Sequence, residues 1–260
     1  MTELLVLHIA KREILAVSLD GSRVRTLVAD VGETPDGIVV DQVRGHIYWT
    51  NMGTPDAESG RGAFSTFFTR NGSLERVDLD GSNRRTIVPR GAFTTGKQLT
   101  ADFDSGLLYW CDREGMQVLR CRLDGSGLET LVVAGTDAQD PRNHCVGIAV
   151  DPVNRLVYWT QKGGPDAGQG RIFRCGTDFP RGGRPQTATT SSCCGRTCPN
   201  PSTWIWTARG TWSGRTGAPS RTATRSIAVR SSLRWGSTRS CLAGSRRRSA
   251  WPPPMTRSTT

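Results

Sequence analysis

Three short stretches of this chain spell nearly the same word: HIYWTN (46–51), LLYWCD (107–112) and LVYWTQ (156–161). Internal self-similarity constrains a fold more than any single motif, because each copy must adopt the same local structure. Ahead of the three words stand DGIVVD (36–41), LTADFD (99–104) and VGIAVD (146–151). Behind them stand LERVDLDG (74–81), VLRCRLDG (118–125) and IFRCGTD (172–178), with ILAVSLDG (14–21) as an earlier member. A fourth run follows the Asp-Gly: RVRTLV, RRTIV and LETLV. Every run is short, rich in β-branched and aromatic residues, and bounded by turn chemistry, so each reads as a strand.

Four strands recurring every 44 to 61 residues read as the blades of a β-propeller. A lone blade cannot bury both of its faces, and stacking against its neighbours does so. The Tyr-Trp pairs supply that filling, at roughly 150–250 Å² buried per ring. Asp-Gly suits the turn out of each third strand, since Gly supplies positive φ and Asp bonds nearby backbone. About four blades are spelled out. The first lacks its innermost strand and the fourth ends after its third strand at Asp178, so both edges are expected to be open and unpaired.

The order GI-x-VD, YWTD, LDG resembles the class B (YWTD) repeats of low-density-lipoprotein-receptor propellers, over residues 4 to 178. In length and lack of disulfides the chain is more similar to microbial intracellular proteins that carry these repeats. The resemblance implies an all-β, YWTD-type fold derived from a six-bladed parent. It makes Tyr48, Trp49, Tyr109, Trp110, Tyr158 and Trp159 the structural residues of the repeat. The repeat's final Asp, a hydrogen-bonding residue, survives at Asp112 but is Asn51 and Gln161 in the other copies, and Cys111 replaces its Thr.

The formal net charge of +11 is unevenly placed. Residues 1–178 carry 20 Lys and Arg against 23 Asp and Glu, a net of −3, whereas 179–260 carry 14 Arg, no Lys and no acid. Basicity confined to that tail gives no reason to expect a specific nucleic-acid partner for the body. No apolar run approaches the roughly 18–20 residues that span a bilayer, so no membrane partner is expected. The opening MTELLVLHIAKREILAVSLDG has an acid at Glu3 and a Lys-Arg-Glu break. It lacks the basic start and cleavage site of a signal peptide, which points to the cytoplasm and to free thiols.

The tail has the composition of a high-GC gene read out of frame. Trp is encoded only by TGG and Ile begins AT, so one base earlier the Trp204–Ile205 junction must read GAT, an Asp. The Trp206–Thr207 junction likewise gives GAC. With the free third positions open to choice, CPNPSTWIWT (198–207) can be read as LPEPIDLDLD, and GTWSGRTGA (210–218) permits NLVWTDRG. Those are a first and a second strand in the order of the repeat. An irregular tail without native meaning is the expectation, with function sought before residue 179.

Chemistry-bearing residues are sparse. HExxH, GxSxG and P-loop motifs are absent. Cys121 and Cys175 occupy the third-strand slot that holds Val17 and Val77 elsewhere, where a small buried hydrophobe is the simplest role. Cys193, Cys194 and Cys198 lack paired metal spacing. His8 and His46 read as structural or surface residues; His144 stands in the connection GTDAQDPRNHC (135–145) leading to an innermost strand. In propellers that connection opens on the same face as the loop between second and third strands. The two long loops, 51–73 and 161–170, share Gly, Pro-Asp-Ala and Gly. Asp56 and Asp166 are therefore matching turn formers, or else part of a carboxylate rim holding a cation. Phe64, Phe67 and Phe68 are expected to cover the core.

Two functions follow. The first is a non-enzymatic propeller binding an unknown protein or a small polar ligand on its loop face, through Glu33, Asp36, Asn51, Asp56, Asp140, Asn143, His144 and Asp166, with no catalytic residue, cofactor or metal. The alternative is a gluconolactonase-like hydrolase, in which a divalent cation such as calcium activates water. That chemistry requires three or more oxygens of Glu33, Asp36, Asn51, Asp140 and Asn143 to converge.

Overall fold

Each copy of the repeat becomes one antiparallel sheet. The computed structural model describes residues 2–32, 34–56, 66–164 and 167–178, and beyond them the segments 186–187, 192–193, 205–206, 212–213 and 225–227. All of these lie in one compact unit spanning 1–229. Blade 1 contains β1 (Glu3–His8), β2 (Glu13–Ser18) and β3 (Val24–Val28). Blade 2 is β4 (Pro35–Asp41), β5 (His46–Asn51), β6 (Gly72–Asp78) and β7 (Arg85–Phe93). Blade 3 is β8 (Gly96–Asp102), β9 (Leu107–Asp112), β10 (Gln117–Arg122) and β11 (Glu129–Val133). Blade 4 contains β12 (Cys145–Asp151), β13 (Leu156–Gln161) and β14 (Arg171–Gly176). The three Tyr-Trp words are the three second strands, β5, β9 and β13, residue for residue.

Period-two alternation sends the Tyr and the Trp of one word to opposite faces of its sheet. Trp49 packs against blade 1 with Leu7, Ile14 and Val28. Tyr48 packs the other way, into blade 3 with Leu99, Leu108 and Trp110. Tyr109 and Trp159 meet in the same manner between blades 3 and 4. The cores between blades 2 and 3 and between blades 3 and 4 thus join a Tyr from one blade to a Trp from the next, whereas Trp49 meets only aliphatic side chains between blades 1 and 2. Cys121 and Cys175 lie buried in these cores as free thiols. Burial pushes both up to about 12, which keeps them protonated.

Turns follow from local chemistry. The Ser82 and Ser126 amides donate to the Asp80 and Asp124 carboxylates, each at 2.9 Å. Gly81 and Gly125 take φ of +89° and +86°, a region L side chains avoid. Both also press on the backbone of the preceding blade, at Leu27 and Ile87.

The expectation of two open edges is corrected. β19 (Arg225–Ile227) lies antiparallel to β1, with Leu5 opposite Ile227 and Leu7 opposite Arg225, in the innermost place of blade 1. β16 (Ser192–Cys193) pairs with β14 as the fourth strand of blade 4. β15 (Gln186–Thr187) adds a parallel strand beyond β11. β17 (Ile205–Trp206) and β18 (Trp212–Ser213) pair with each other. The physical reason is that a strand edge presents unpaired backbone N–H and C=O groups, which any chain segment can satisfy whatever its side chains.

Candidate functional site

The loop-face ends of the blades are shaped by one recurring irregularity. Between first and second strands the register passes from Pro35↔Asn51 to Ile38↔Trp49, from Gly96↔Asp112 to Leu99↔Trp110, and from Cys145↔Gln161 to Ile148↔Trp159. Two inner-strand residues therefore face one, which is a β-bulge, and a bulge frees a backbone N–H and re-aims side chains. The Thr of the word meets that need. Thr50 Oγ1 accepts from the Gly37 amide at 2.9 Å, and Thr160 Oγ1 from the Gly147 amide at 2.9 Å. Thr50 also donates to the Lys97 carbonyl of the next blade at 2.6 Å. In the copy at 107–112 Cys111 donates its S–H to the Gly147 carbonyl of the next blade at 3.4 Å. A Cβ on Gly37 would run into the Lys97 carbonyl and the Leu99 amide, so only glycine lets the inner strands approach this closely.

The first residue of each bulge is Asp36, Lys97 or Val146. Lys97 Nζ and Asp36 form an ion pair whose side chains are 7% and 3% exposed. Lys97 Nζ also contacts Met52 Sδ at 3.5 Å. A second set of equivalent positions follows the word. The amides of Met52, Arg113 and Lys162 donate to the carbonyls of Thr34, Thr95 and His144, at 2.8, 3.0 and 3.1 Å. This bond fixes the residue after each word beside the residue before each inner strand.

At the end of the word the three copies diverge. Asp112 accepts from the Thr94, Thr95 and Gly115 amides at 3.0, 2.6 and 3.1 Å. Burial raises its pKa, and these three donors only partly offset that. Asn51 donates to Ser73 Oγ at 3.3 Å and Gln161 to the Ala134 carbonyl at 3.4 Å. Asn51 Oδ1 and Gln161 Oε1 find no hydrogen-bond partner among the described residues.

Titratable groups gather where blade 3 meets blade 4. Arg113 pairs with Glu114 Oε1 at 2.5 Å, its guanidinium 5.5 Å from the Phe67 ring centroid. Glu114 Oε2 is buried and unpartnered among the described residues. His144, 7% exposed, bonds the Ala138 carbonyl through Nε2 at 2.7 Å, and its Nδ1 is unpartnered. Burial pulls the His144 pKa below its usual value, reinforced by Lys162 and Arg113 and opposed by the Ala138 bond and Glu114. Lys162 is lowered by burial and by Arg113.

No protein-family model matches the chain. Among curated proteins it is 46% identical to low-density lipoprotein receptor-related protein 1 of Pyricularia oryzae over 168 residues, covering 62% of this chain and 51% of that one. It is 34% identical to a 3-hydroxyacyl-CoA dehydrogenase-like protein of Cochliobolus heterostrophus over 180 residues, 67% of this chain and 35% of that one. Among solved structures, the nidogen/laminin complex shares the fold with a TM-score of 0.58 and 17% identity, over 82% of this chain and 70% of that one. The chain carries a YWTD β-propeller of the low-density-lipoprotein-receptor type. It spans about half the length of the first relative and about a third of the second.

In this YWTD propeller the described members of the expected site are held by different partners. Asp36 is held by Lys97 and Asn51 by Ser73. Asp140 caps the 3-10 turn Pro141–Asn143 and pairs with Arg142 at 2.7 Å, while Asn143 donates to the Asp137 carbonyl at 2.9 Å. Asp56 accepts from the Phe68 and Thr69 amides at 2.7 and 3.2 Å, tying the two ends of the 51–73 loop together. Burial raises its pKa, but the Thr69 and Phe68 donors outweigh that and leave it lowered. Phe67 covers the core, whereas Phe68 is 37% exposed. Glu33, Phe64 and Asp166 lie outside the described residues. Among the described residues no group of three His, Cys, Asp or Glu stands close enough to hold a metal ion, and no helix is long and apolar enough to cross a membrane. Lys97, Arg113, Glu114 and Lys162 were not singled out from sequence. Their signal is positional: Lys97 aligns with Asp36, and Arg113 and Lys162 each follow the last letter of a YWTD word.

Proposed function

We propose that this propeller is a non-catalytic binding protein whose loop face takes a protein or a small polar ligand. One observation carries the reading: Asn51 Oδ1, Glu114 Oε2, His144 Nδ1 and Gln161 Oε1 are buried acceptors that no described residue satisfies. An unpaired buried polar atom costs about 1–3 kcal/mol, so four at the loop-face ends of blades 2 to 4 suit a surface completed by something else. The nidogen/laminin complex, a solved assembly of the same fold, adds support for a protein partner. The test is to immobilise the full chain against a panel of peptides, glycans and polar metabolites. Binders should be lost in Glu114→Gln/Lys162→Ala and kept in Val43→Ser/Val153→Ser, which alters exposed turns on the opposite face. Loss in the second variant and not the first would sink the reading.

We infer also that residues 179–260 are coding sequence displaced from its frame, and that the site lies within 1–178. The two Asp codons forced across Trp204–Thr207 support this. Resequencing the gene near codon 179 tests it, and an unbroken reading frame in both genomic DNA and transcript counts against it. Neither nucleic acid nor membrane is assigned as a partner. A cytoplasmic location is supported by Cys111, Cys121, Cys145 and Cys175, all free, as thiols are in a reducing compartment. Fractionation of cells making a tagged chain would check it.

A further inference from the structure

We propose that the loop-face junction of blades 3 and 4 binds a hydroxy-carboxylate, its carboxylate held by Lys162 and Arg113 and its hydroxyls donating to Glu114 Oε2 and His144 Nδ1. The inference rests on the loop-face reading above and names its ligand class.

The first argument is which atoms are left over. The Ala138 carbonyl only accepts, so the His144 nitrogen 2.7 Å from it, Nε2, carries the proton. In the neutral ring that burial favours, Nδ1 is then a bare lone pair. Glu114 Oε1 is occupied by Arg113, through Nε and Nη2. Glu114 Oε2 remains, on a side chain 4% exposed. Two buried acceptors therefore need N–H or O–H donors.

The second argument is charge. Arg113 and Lys162 outnumber Glu114 by one positive charge while His144 is neutral, and all three charges act on the His144 ring. An ammonium ligand would satisfy the acceptors but meet two cations. A neutral polyol would leave the surplus charge unanswered. A bare carboxylate would answer the charge and leave both acceptors empty. A carboxylate bearing hydroxyls does both, since charge-assisted hydrogen bonds are the strongest available to it. The corresponding junction of blades 2 and 3 differs, because Met52 stands there in the place that Arg113 holds here and the Lys97 amine is paired with Asp36.

Titration calorimetry on the full chain with D-gluconate, sorbitol and acetate separates these cases. Gluconate should bind at least about tenfold more tightly than either partial mimic. Lys162→Met should weaken it about tenfold, with Lys162→Arg restoring most of the affinity. The Nδ1 resonance of His144 should move on gluconate addition and not on acetate addition, a readout that holds even if a variant folds badly. Equal affinity for gluconate and acetate, or a His144 signal that stays still, overturns the proposal. If that happens while panel ligands remain sensitive to Glu114→Gln/Lys162→Ala, only the ligand class is wrong. If no ligand is sensitive to that variant, the loop-face reading falls as well.

Discussion

At Asp112, burial and hydrogen bonding pull in opposite directions. Desolvation disfavours its charge, while three amides within 3.1 Å favour it. Replacing it with Ala strands those amides and should cost about 1–3 kcal/mol, read as a lower denaturation midpoint. Asn51→Ala, which frees only the 3.3 Å contact to Ser73, should cost less. His144 provides the pH dependence. Its pKa in the fold lies below the usual 6.5, so the unfolded chain takes up a proton that the fold refuses. The stability linked to this residue is complete above pH 6.5 and is lost as pH falls from there through the folded value. In His144→Gln that part of the acid sensitivity should vanish from a series of melting curves. A parallel slope in both proteins would count against it.

The bulged pair of inner strands is the element that makes this repeat a blade. Its spare amide needs an acceptor and its neighbour blade offers a carbonyl, and a single hydroxyl serves both at Thr50. Thr50→Val keeps the shape, removes both bonds and should cost about 2–3 kcal/mol, since each buried group left alone costs about 1 kcal/mol or more. Cys111 supplies the donor half of this role through a weaker S–H at 3.4 Å. Cys111→Thr should therefore be neutral or raise the melting temperature slightly. A large loss would mean that packing at this slot, and not the hydrogen bond, decides its residue.

For the molecule as a whole, stability resides between the sheets. Trp110 is fully buried between blades 2 and 3 with Tyr48, Leu99 and Phe93, and Trp110→Ala should cost about 3–5 kcal/mol. Val43, 94% exposed at a turn tip, should change stability by less than about 0.5 kcal/mol when replaced by Ser. Chemical denaturation of the two variants side by side checks both. A mild Trp110 variant would mean that the blades are stabilised within themselves and not by stacking.

What the sequence determined by itself was local. Alternation and Asp-Gly turns placed all three Tyr-Trp strands at the observed residues, because strand period and turn chemistry act within a few positions. The special standing of Asp112 was legible for the same reason: it alone kept the last letter of the word. Tertiary structure decided what depends on one blade meeting another. Lys97 finds Asp36 across 61 residues of chain. Glu114 comes within electrostatic range of His144 although neither lies in the other's repeat. Such pairings are set by where the bulges aim side chains around the stack, and charge carries no sequence period to reveal it. The tail segments that pair with β1 and β14 were equally invisible, since a sheet edge recruits backbone, and backbone is the one feature every residue shares.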